Sequence, residues 1–281
     1  MFGVCFIKKV KCLIVTVLLI CQCEPLLSQE NNHYEVIDEA RLLVTYNFVW
    51  RNDTTTPKLG KAEDMVLLIG NKISCFQSMG NYRFMEYRLS HPDVYSGSEY
   101  EQIIHETLTN FGFRIYKNFP SGLITVMERV MFTGTFEYVE DIPDFHWEIL
   151  DDTLTIEGYL CQKAVCDYSG RTWEAWFTDE LPFSDGPYKF CGLPGLILNM
   201  SDMKLDCRFR FKSIEVPAQG TTVKWEHKET FKTTKQGLFK VIDQAAESTL
   251  RNFDERTSSG MQKAVYEYMR SMNNPIELDR K

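Results

Sequence analysis

Residues 153–202 carry the most distinctive pattern of the chain, and they read TLTIEGYLCQKAVCDYSGRTWEAWFTDELPFSDGPYKFCGLPGLILNMSD. Two Gly/Pro bends lie close together in this stretch, LPFSDGP at 181–187 and GLPG at 192–195. Proline fixes φ, whereas glycine permits positive φ and close backbone approach. We therefore expect two shaped turns that aim the adjoining strands, with residues 196–198 entering a buried strand.

Strand patterns continue on both sides of this stretch. Alternation over 34–50 predicts a long strand, and Gly70–Asn71 lies between two short apolar runs that predict a hairpin. Ser169–Gly170 separates two alternating runs and predicts a second hairpin over 160–178. The other strand candidates are 113–118, 122–130, 133–139, 145–149, 153–158, 195–200, 205–216 and 221–227.

Helical periodicity is confined to three segments, 98–112, 234–252 and 261–270. Many evenly spaced strands with few helices predict a mainly β fold. We expect a curved antiparallel sheet, half-barrel or bowl-like, packed against one or two helices. We divide the chain into a signal peptide at 1–28, a single strand-rich domain at 29–255 and a short C-terminal helix or tail at 256–281.

The N-terminus has the layout of a secretory signal peptide. The basic segment Lys8–Lys11 precedes an apolar run from Cys12 to Cys21, and polar and small residues follow as far as Ser28. The apolar run is too short to cross a bilayer as a helix. We expect cleavage near Ser28, no transmembrane helix in the mature chain, and export to the periplasm, the cell surface or the medium. A retained membrane anchor is the alternative.

Charge and composition exclude some classes of function. The chain has a formal net charge of −8, and removal of the basic N-terminal segment makes it more acidic. An acidic chain repels nucleic acid, so we expect no nucleic-acid partner. Aromatic residues make up 13% of the chain, which is enough for a sizeable core.

The stretch 158–197 resembles the signature of the GLPGLI family of exported proteins, which is common in Bacteroidetes. GLPGLI itself is residues 192–197, and a GY-C-KA pattern precedes it at 158–164. The residues that carry the resemblance are Gly158, Tyr159, Cys161, Lys163, Gly170, Gly186, Pro187, Gly192, Leu193, Pro194, Gly195, Leu196 and Ile197. The family has no assigned activity, so the resemblance implies kinship and an exported location but no chemistry.

The same stretch supplies a candidate ligand site. If the two bends rim a pocket, neighbouring aromatic side chains form its wall, and two cations are candidates for an anion site. The candidate ligand-binding residues are Arg171, Trp173, Trp176, Phe177, Tyr188, Lys189 and Phe190. A structural interpretation competes with this one: the aromatic residues form a core, and the cations pair with nearby carboxylates such as Asp179, Glu180 and Asp185.

Five of the nine cysteines lie outside the signal segment: Cys75, Cys161, Cys166, Cys191 and Cys207. An exported location permits disulfides, and an odd count leaves at least one thiol unpaired. Cys161 and Cys166 have opposite parity on one strand, so their side chains diverge unless a bulge intervenes. Cys161–Cys191 and Cys166–Cys207 are equally defensible bridges.

Patterns typical of catalysis, cofactors and metals are weak or absent in the sequence. The histidines lie in no catalytic motif, and no phosphate loop, dinucleotide fingerprint or zinc-ligand spacing occurs. We therefore expect no catalytic residue and no cofactor. Met200, Met203 and Cys207 offer soft ligands that select copper(I), although methionine also fills irregular cores.

These observations together predict a non-enzymatic exported protein that binds a hydrophobic or envelope-associated ligand on a curved sheet. The predicted fold looks like the half-barrel of periplasmic lipoprotein carriers, which is an analogy of fold alone. A structural or accessory module that binds an envelope protein is the alternative, and a copper-binding protein is a more remote one.

Overall fold

The computed structural model of the protein describes residues 33–55, 60–131, 133–252 and 260–279. The predicted signal peptide lies outside the described residues. The strands are β1 His33–Trp50, β2 Lys61–Gly70, β3 Ser74–Ser78, β4 Arg114–Lys117, β5 Leu123–Val130, β6 Gly134–Asp141, β7 Glu148–Ile156, β8 Tyr159–Tyr168, β9 Arg171–Thr178, β10 Leu196–Asp202, β11 Cys207–Glu215, β12 Thr222–His227 and β13 Phe231–Lys232. The helices are α1 Met79–Ser90, α2 Ser98–Glu106, α3 Lys235–Asn252 and α4 Met261–Arg270.

The described strands form one sheet in the order β13-β6-β5-β4-β3-β2-β1-β11-β10-β9-β8-β7, and β12 pairs with β1 beside this path. The pairings are antiparallel except for that of β13 with β6. Helix α3 packs on β5 and β6, and α4 packs on α3. The predicted fold class, a mainly β protein with an antiparallel sheet packed against helices, is confirmed.

Both predicted hairpins occur. Ser169 and Gly170 have φ of 52° and 78°, and two consecutive positive φ values are what a tight type I′ turn requires. At the first hairpin, the Asp38 carboxylate accepts hydrogen bonds from the backbone N–H groups of Lys72 and Ile73, at 2.6 and 2.9 Å. Local turn chemistry therefore sets the register of both strand pairs.

Three elements differ from the sequence-based expectation. Helix α1 was not predicted, because its apolar residues show little periodicity; it begins where the Ser78 hydroxyl accepts a hydrogen bond from the Asn81 N–H at 3.0 Å. The two strands expected at 145–149 and 153–158 are the single strand β7, which is irregular between Ile149 and Thr153. The two-residue strand β13 is too short to leave a pattern.

The main hydrophobic core lies on the sheet face covered by α3, and it includes the fully buried side chains of Tyr46, Phe48, Trp173 and Phe190. A smaller cluster on the opposite face packs Tyr116 against Trp225, with ring centroids 4.9 Å apart. No helix in the described ranges is both long enough and apolar enough to cross a membrane.

Candidate functional site

The two Gly/Pro bends are hydrogen-bonded to each other along their backbones. The N–H of Leu196 donates to the carbonyl of Leu181, and the N–H of Ile197 donates to that of Asp185, both at 3.0 Å. Asp185 and Cys191 form an isolated antiparallel bridge between the same two bends. The bends therefore form one rigid corner that leads into β10.

Glycine is required in this corner by close approach. A Cβ on Gly195 would lie 2.1 Å from the backbone oxygen of Thr178, which no side chain tolerates. The buried Tyr46 hydroxyl donates to the Ile197 carbonyl at 2.8 Å. The buried Lys117 ammonium donates to the Gly186 carbonyl at 2.6 Å and thereby holds the first bend.

The aromatic side chains of the candidate ligand site pack inside this corner. Phe190 is fully buried, with ring centroids 4.8 Å from Trp173, 5.1 Å from Phe145 and 5.5 Å from Tyr168. Phe177 is also buried, at 3% exposure, whereas Trp176 is half-buried on the other side of β9. Most of the predicted wall is therefore core.

Arg171 binds a segment of this chain. We call residues 271–279 the C-terminal strap. Arg171 donates from Nε to the Ile276 carbonyl at 2.9 Å and from Nη2 to the Pro275 carbonyl at 2.7 Å. Its Nη1 pairs with Asp202 at 2.8 Å. Because Arg171 is only 6% exposed, its donors face the strap and the sheet rather than a free anion.

Lys189 binds the same strap through a buried carboxylate. Its Nζ lies 2.6 Å from Oε1 of Glu277, 2.8 Å from the Tyr138 hydroxyl and 2.5 Å from Oε1 of Glu140. Lys235 of α3 reaches Oε2 of Glu277 at 2.5 Å. Two ammonium groups and two carboxylates thus neutralise each other in the interior.

The ionisation of this cluster follows from its geometry. Burial by itself raises the pKa of Glu277, but the nearby Lys189 and Lys235 outweigh burial and lower it to about 2. Burial opposes the charge on Lys189, and Glu277 is the main group that raises the pKa of Lys189 above its ordinary value. Glu277 and Lys189 therefore stay charged at neutral pH.

The strap is held at further points by the hairpin and by β1. The Leu278 N–H donates to the Ser169 carbonyl at 2.8 Å, and the Ser169 hydroxyl lies 2.5 Å from Oδ1 of Asp279 and 3.0 Å from Oε2 of Glu277. The Trp50 indole donates to the Asn274 carbonyl at 2.6 Å. The part of the chain treated from sequence as a short helix or tail thus contains α4, followed by a strap docked on the signature residues.

A cavity of about 260 Å³ lies between β4–β6, the helices α3 and α4, and the strap. Its walls are mainly apolar, and one end is polar. The apolar walls include Phe111, Phe113, Ile115, Val126, Leu238, Ile242, Met269 and Ile276, and one polar end is formed by Tyr138, Tyr188 and Glu277. Further polar lining residues are Thr109, Asn110, Glu128, Arg129, Asp243 and Tyr268. Of the seven candidate ligand-binding residues, Tyr188 is the one that lines this cavity.

No sequence motif marks the cavity. Its residues come from four strands, two helices, connecting loops and the strap, and they span more than two hundred residues of the chain. The apolar stripe of α3 is the one sequence feature related to the cavity, because an apolar helix face must pack against another surface. A helix stripe indicates burial but does not indicate whether the partner surface fits tightly.

The predicted disulfides are not formed in the structure, where all five described cysteines are free. For Cys166 and Cys207 the reason is the strand order: β9 and β10 lie between β8 and β11. Three strand spacings of about 4.8 Å exceed the Cα separation that a disulfide spans. Burial raises the pKa of the thiols, for example to about 12 for Cys207, so they are poor nucleophiles.

The soft-ligand residues differ in their surroundings. Met200 and Cys207 are buried in the sheet, whereas Met203 is 63% exposed in the turn between β10 and β11. Among the described residues, no group of three or more His, Cys, Asp or Glu side chains is arranged to hold a metal ion. A copper(I) site at these three residues stays a prediction.

Comparison with solved structures finds PNGF-II, in crystals of space groups C2 and P21. Each has a TM-score of 0.48 and 11% sequence identity, over 73% of this chain and 33% of the PNGF-II chain. This chain thus spans about a third of the length of that protein. The comparison with curated proteins gave no match.

Residues 169–199 match a family model described as a protein of unknown function (Porph_ging). The match begins at the Ser169–Gly170 hairpin and ends in β10, so it covers both bends and the GLPGLI sequence. The resemblance drawn from the sequence is confirmed over this signature segment, which is similar to a family of Bacteroidetes-type proteins of unknown function.

Proposed function

We propose that this protein is an exported, non-enzymatic binding protein or carrier, and that it holds a small hydrophobic ligand in the cavity between the sheet and α3–α4. The observation that carries the proposal is the cavity itself, which is lined mainly by apolar side chains and has a polar end at Tyr138, Tyr188 and Glu277. Ligand sites in proteins are typically concave and mostly apolar, with a few placed polar groups.

The volume of the cavity limits the size of the ligand. An apolar cavity of about 150 Å³ binds benzene, so a cavity of about 260 Å³ has room for about ten non-hydrogen atoms. A bicyclic hydrocarbon or a medium-length alkyl segment fits this volume. A whole diacyl lipid does not fit, although one of its chains would.

The proposed ligand lies in the cavity, next to the signature residues, and most of those residues do not contact it. Arg171 and Lys189 are occupied by the strap, and Phe190 and Trp173 are closed into the core. The role of the signature is then to dock the strap, which supplies Pro275 and Ile276 to the cavity wall. Tyr188 belongs to both regions, because it contacts Glu277 and lines the cavity.

Export and domain organisation are parts of the same proposal. The layout of residues 1–28 supports a signal peptide, and the family resemblance supports an exported location. We propose that residues 29–255 form one domain and that residues 256–281 complete it, since the strap lies on strands of that domain.

Binding of naphthalene, which has ten non-hydrogen atoms, tests the proposal. We expect saturable one-site binding by ligand-observed NMR, and loss of binding in A246F, because the added ring fills the cavity that Ala246 lines. A218F carries the same change on the exposed β11–β12 loop and should bind as the parent does. If A246F is unfolded by circular dichroism, I242W fills the same cavity from the preceding turn of α3. Equal binding by the parent, A246F and I242W would overturn the proposal, as would no binding by the parent.

An accessory interaction module is the second candidate, and a different observation favours it. In the described part of the sheet, β7 pairs on one side only, with β8. Ile149, Leu154 and Leu160 on this strand pair are 45%, 46% and 60% exposed. An exposed apolar edge is where another protein adds a strand. If naphthalene does not bind, and L154K with L160K abolishes association with an envelope partner, this candidate replaces the first.

A further inference from the structure

The polar end of the cavity has one hydrogen-bond donor that the protein does not use. The Tyr138 hydroxyl accepts a hydrogen bond from Lys189 Nζ at 2.8 Å. Among the described residues, this hydroxyl receives that bond but donates none. Tyr138 is 3% exposed and lines the cavity, so water has little access to the remaining proton. A buried donor without an acceptor is unfavourable, and a bound acceptor would remove that penalty.

The other polar groups that line this end do not compete for this role, because their donors are already bound. The Tyr168 hydroxyl nearby has no hydrogen-bond partner among the described residues, but Tyr168 does not line the cavity. The Tyr188 hydroxyl donates to Oε1 of Glu277 at 2.7 Å, and Lys235 reaches Oε2 of the same carboxylate at 2.5 Å. The Ser169 hydroxyl has one proton and lies closer to Oδ1 of Asp279, at 2.5 Å, than to Oε2 of Glu277, at 3.0 Å. Glu277 therefore receives donors from Tyr188, Lys189 and Lys235, and Tyr138 is the residue lining this end of the cavity whose proton has no acceptor among the described residues.

The charge balance at this end favours an uncharged ligand group. Lys189 and Lys235 are each paired with Glu277, and each also lies within 4 Å of Glu140. These two positive and two negative charges balance, so this ion-pair cluster offers no unpaired charge to an anionic or a cationic ligand. Bringing a third carboxylate or a third ammonium group out of water into this region would cost desolvation energy without a partner.

We infer that the Tyr138 hydroxyl donates a hydrogen bond to a neutral oxygen acceptor, a carbonyl or hydroxyl oxygen, at one end of an otherwise apolar ligand of about ten non-hydrogen atoms. This inference rests on the proposed function and specifies its ligand class. Tyr138 acts as a specificity-determining residue: the apolar walls supply affinity, and the hydroxyl selects ligands with an acceptor.

Tetralin and 1-tetralone form a matched pair that tests the inference, since they differ only by one carbonyl oxygen. We expect the parent protein to bind 1-tetralone about tenfold more tightly than tetralin, which is what one recovered hydrogen bond provides. In Y138F the preference should fall to about onefold, while tetralin affinity is unchanged. Y95F removes the hydroxyl of a tyrosine that is 59% exposed and does not line the cavity, and it should keep the preference.

The outcomes separate this inference from the proposed function. If neither compound binds the parent protein, the proposed function fails. If tetralin binds and 1-tetralone binds no more tightly, or if Y138F keeps the preference, the ligand cavity stands and the assignment of Tyr138 is wrong. Tighter binding of 1-naphthoate than of 1-tetralone would overturn the choice of a neutral group. Urea unfolding of each variant checks that the fold is retained.

Discussion

The signature region, residues 158–197, and the region around the cavity under α3 lie on the same sheet but differ in how tightly they are packed. Around the two bends, polar donors and acceptors are paired and aromatic rings are packed, so that Arg171, Lys189 and Phe190 are at most 6% exposed. Under α3, mainly apolar side chains line a cavity of about 260 Å³. The comparison shows that a conspicuous motif can specify a scaffold, while a binding volume can arise beside it from residues that form no motif.

Loss of Arg171 should have the largest effect in this comparison. R171A removes the donors to the strap and leaves Asp202 buried without its closest cation. Breaking a buried ion pair of this kind costs about 3–5 kcal/mol, and we expect the free energy of unfolding to fall by about 4 kcal/mol in urea titrations. R210A, on the exposed face of β11, should change it by less than about 0.5 kcal/mol. Similar losses in the two variants would show that the strap is not held as described.

Acid should weaken the attachment of the strap through Glu277. Its pKa is about 2 in the folded protein against an ordinary value of 4.5, so its contribution is complete above pH 4.5 and is lost as the pH falls toward 2. A shift of this size corresponds to stability on the order of 3 kcal/mol. E277Q should lose about that much at neutral pH, and its unfolding free energy should vary less between pH 5 and pH 2.

E99Q is the matched control for that experiment, because the Glu99 side chain is 72% exposed. It should follow the pH profile of the parent protein. A parent profile that is flat between pH 5 and pH 2, or an E277Q profile that is as steep as the parent profile, would contradict the ion-pair arrangement around Lys189.

Two methionine substitutions compare the packing of the signature region with that of the cavity wall, and we expect them to change the free energy of unfolding less than R171A does. Met200 in β10 is 1% exposed within the packed region, whereas Met269 in α4 lines the cavity. M200A should cost about 3 kcal/mol, as is usual for a large side chain removed from a tight core. M269A should cost about 1 kcal/mol, since one side of Met269 already faces empty space. Equal losses of unfolding free energy would mean that the cavity walls are packed as tightly as the signature region.

Much of the fold could be predicted because its signals are local. Alternation of apolar and polar residues predicts the strands, the Ser169–Gly170 turn predicts a hairpin, and the apolar stripe at 234–252 predicts α3. Helix α1 lacked such a stripe and was missed. The two bends were predicted as shaped corners, and the close approach of Gly195 to Thr178 is consistent with that interpretation.

The candidate site could be predicted only in part, because its partners are distant along the chain. The cations of the signature were expected to meet an anion or a nearby carboxylate such as Asp185. Their carboxylates are instead Asp202 for Arg171, and Glu277 and Glu140 for Lys189. Sequence spacing carries no information about which distant charge folds against a given residue.

The sequence by itself determined the class of the fold, the corner formed by the Gly/Pro bends and the family resemblance, because these depend on backbone preferences within a few residues. Only the tertiary structure decided that the strap docks on the signature and that the sheet and helices leave a cavity. These depend on how surfaces far apart in the sequence meet. The fit between such surfaces is set by side-chain shape and charge across the whole molecule, which no local pattern records.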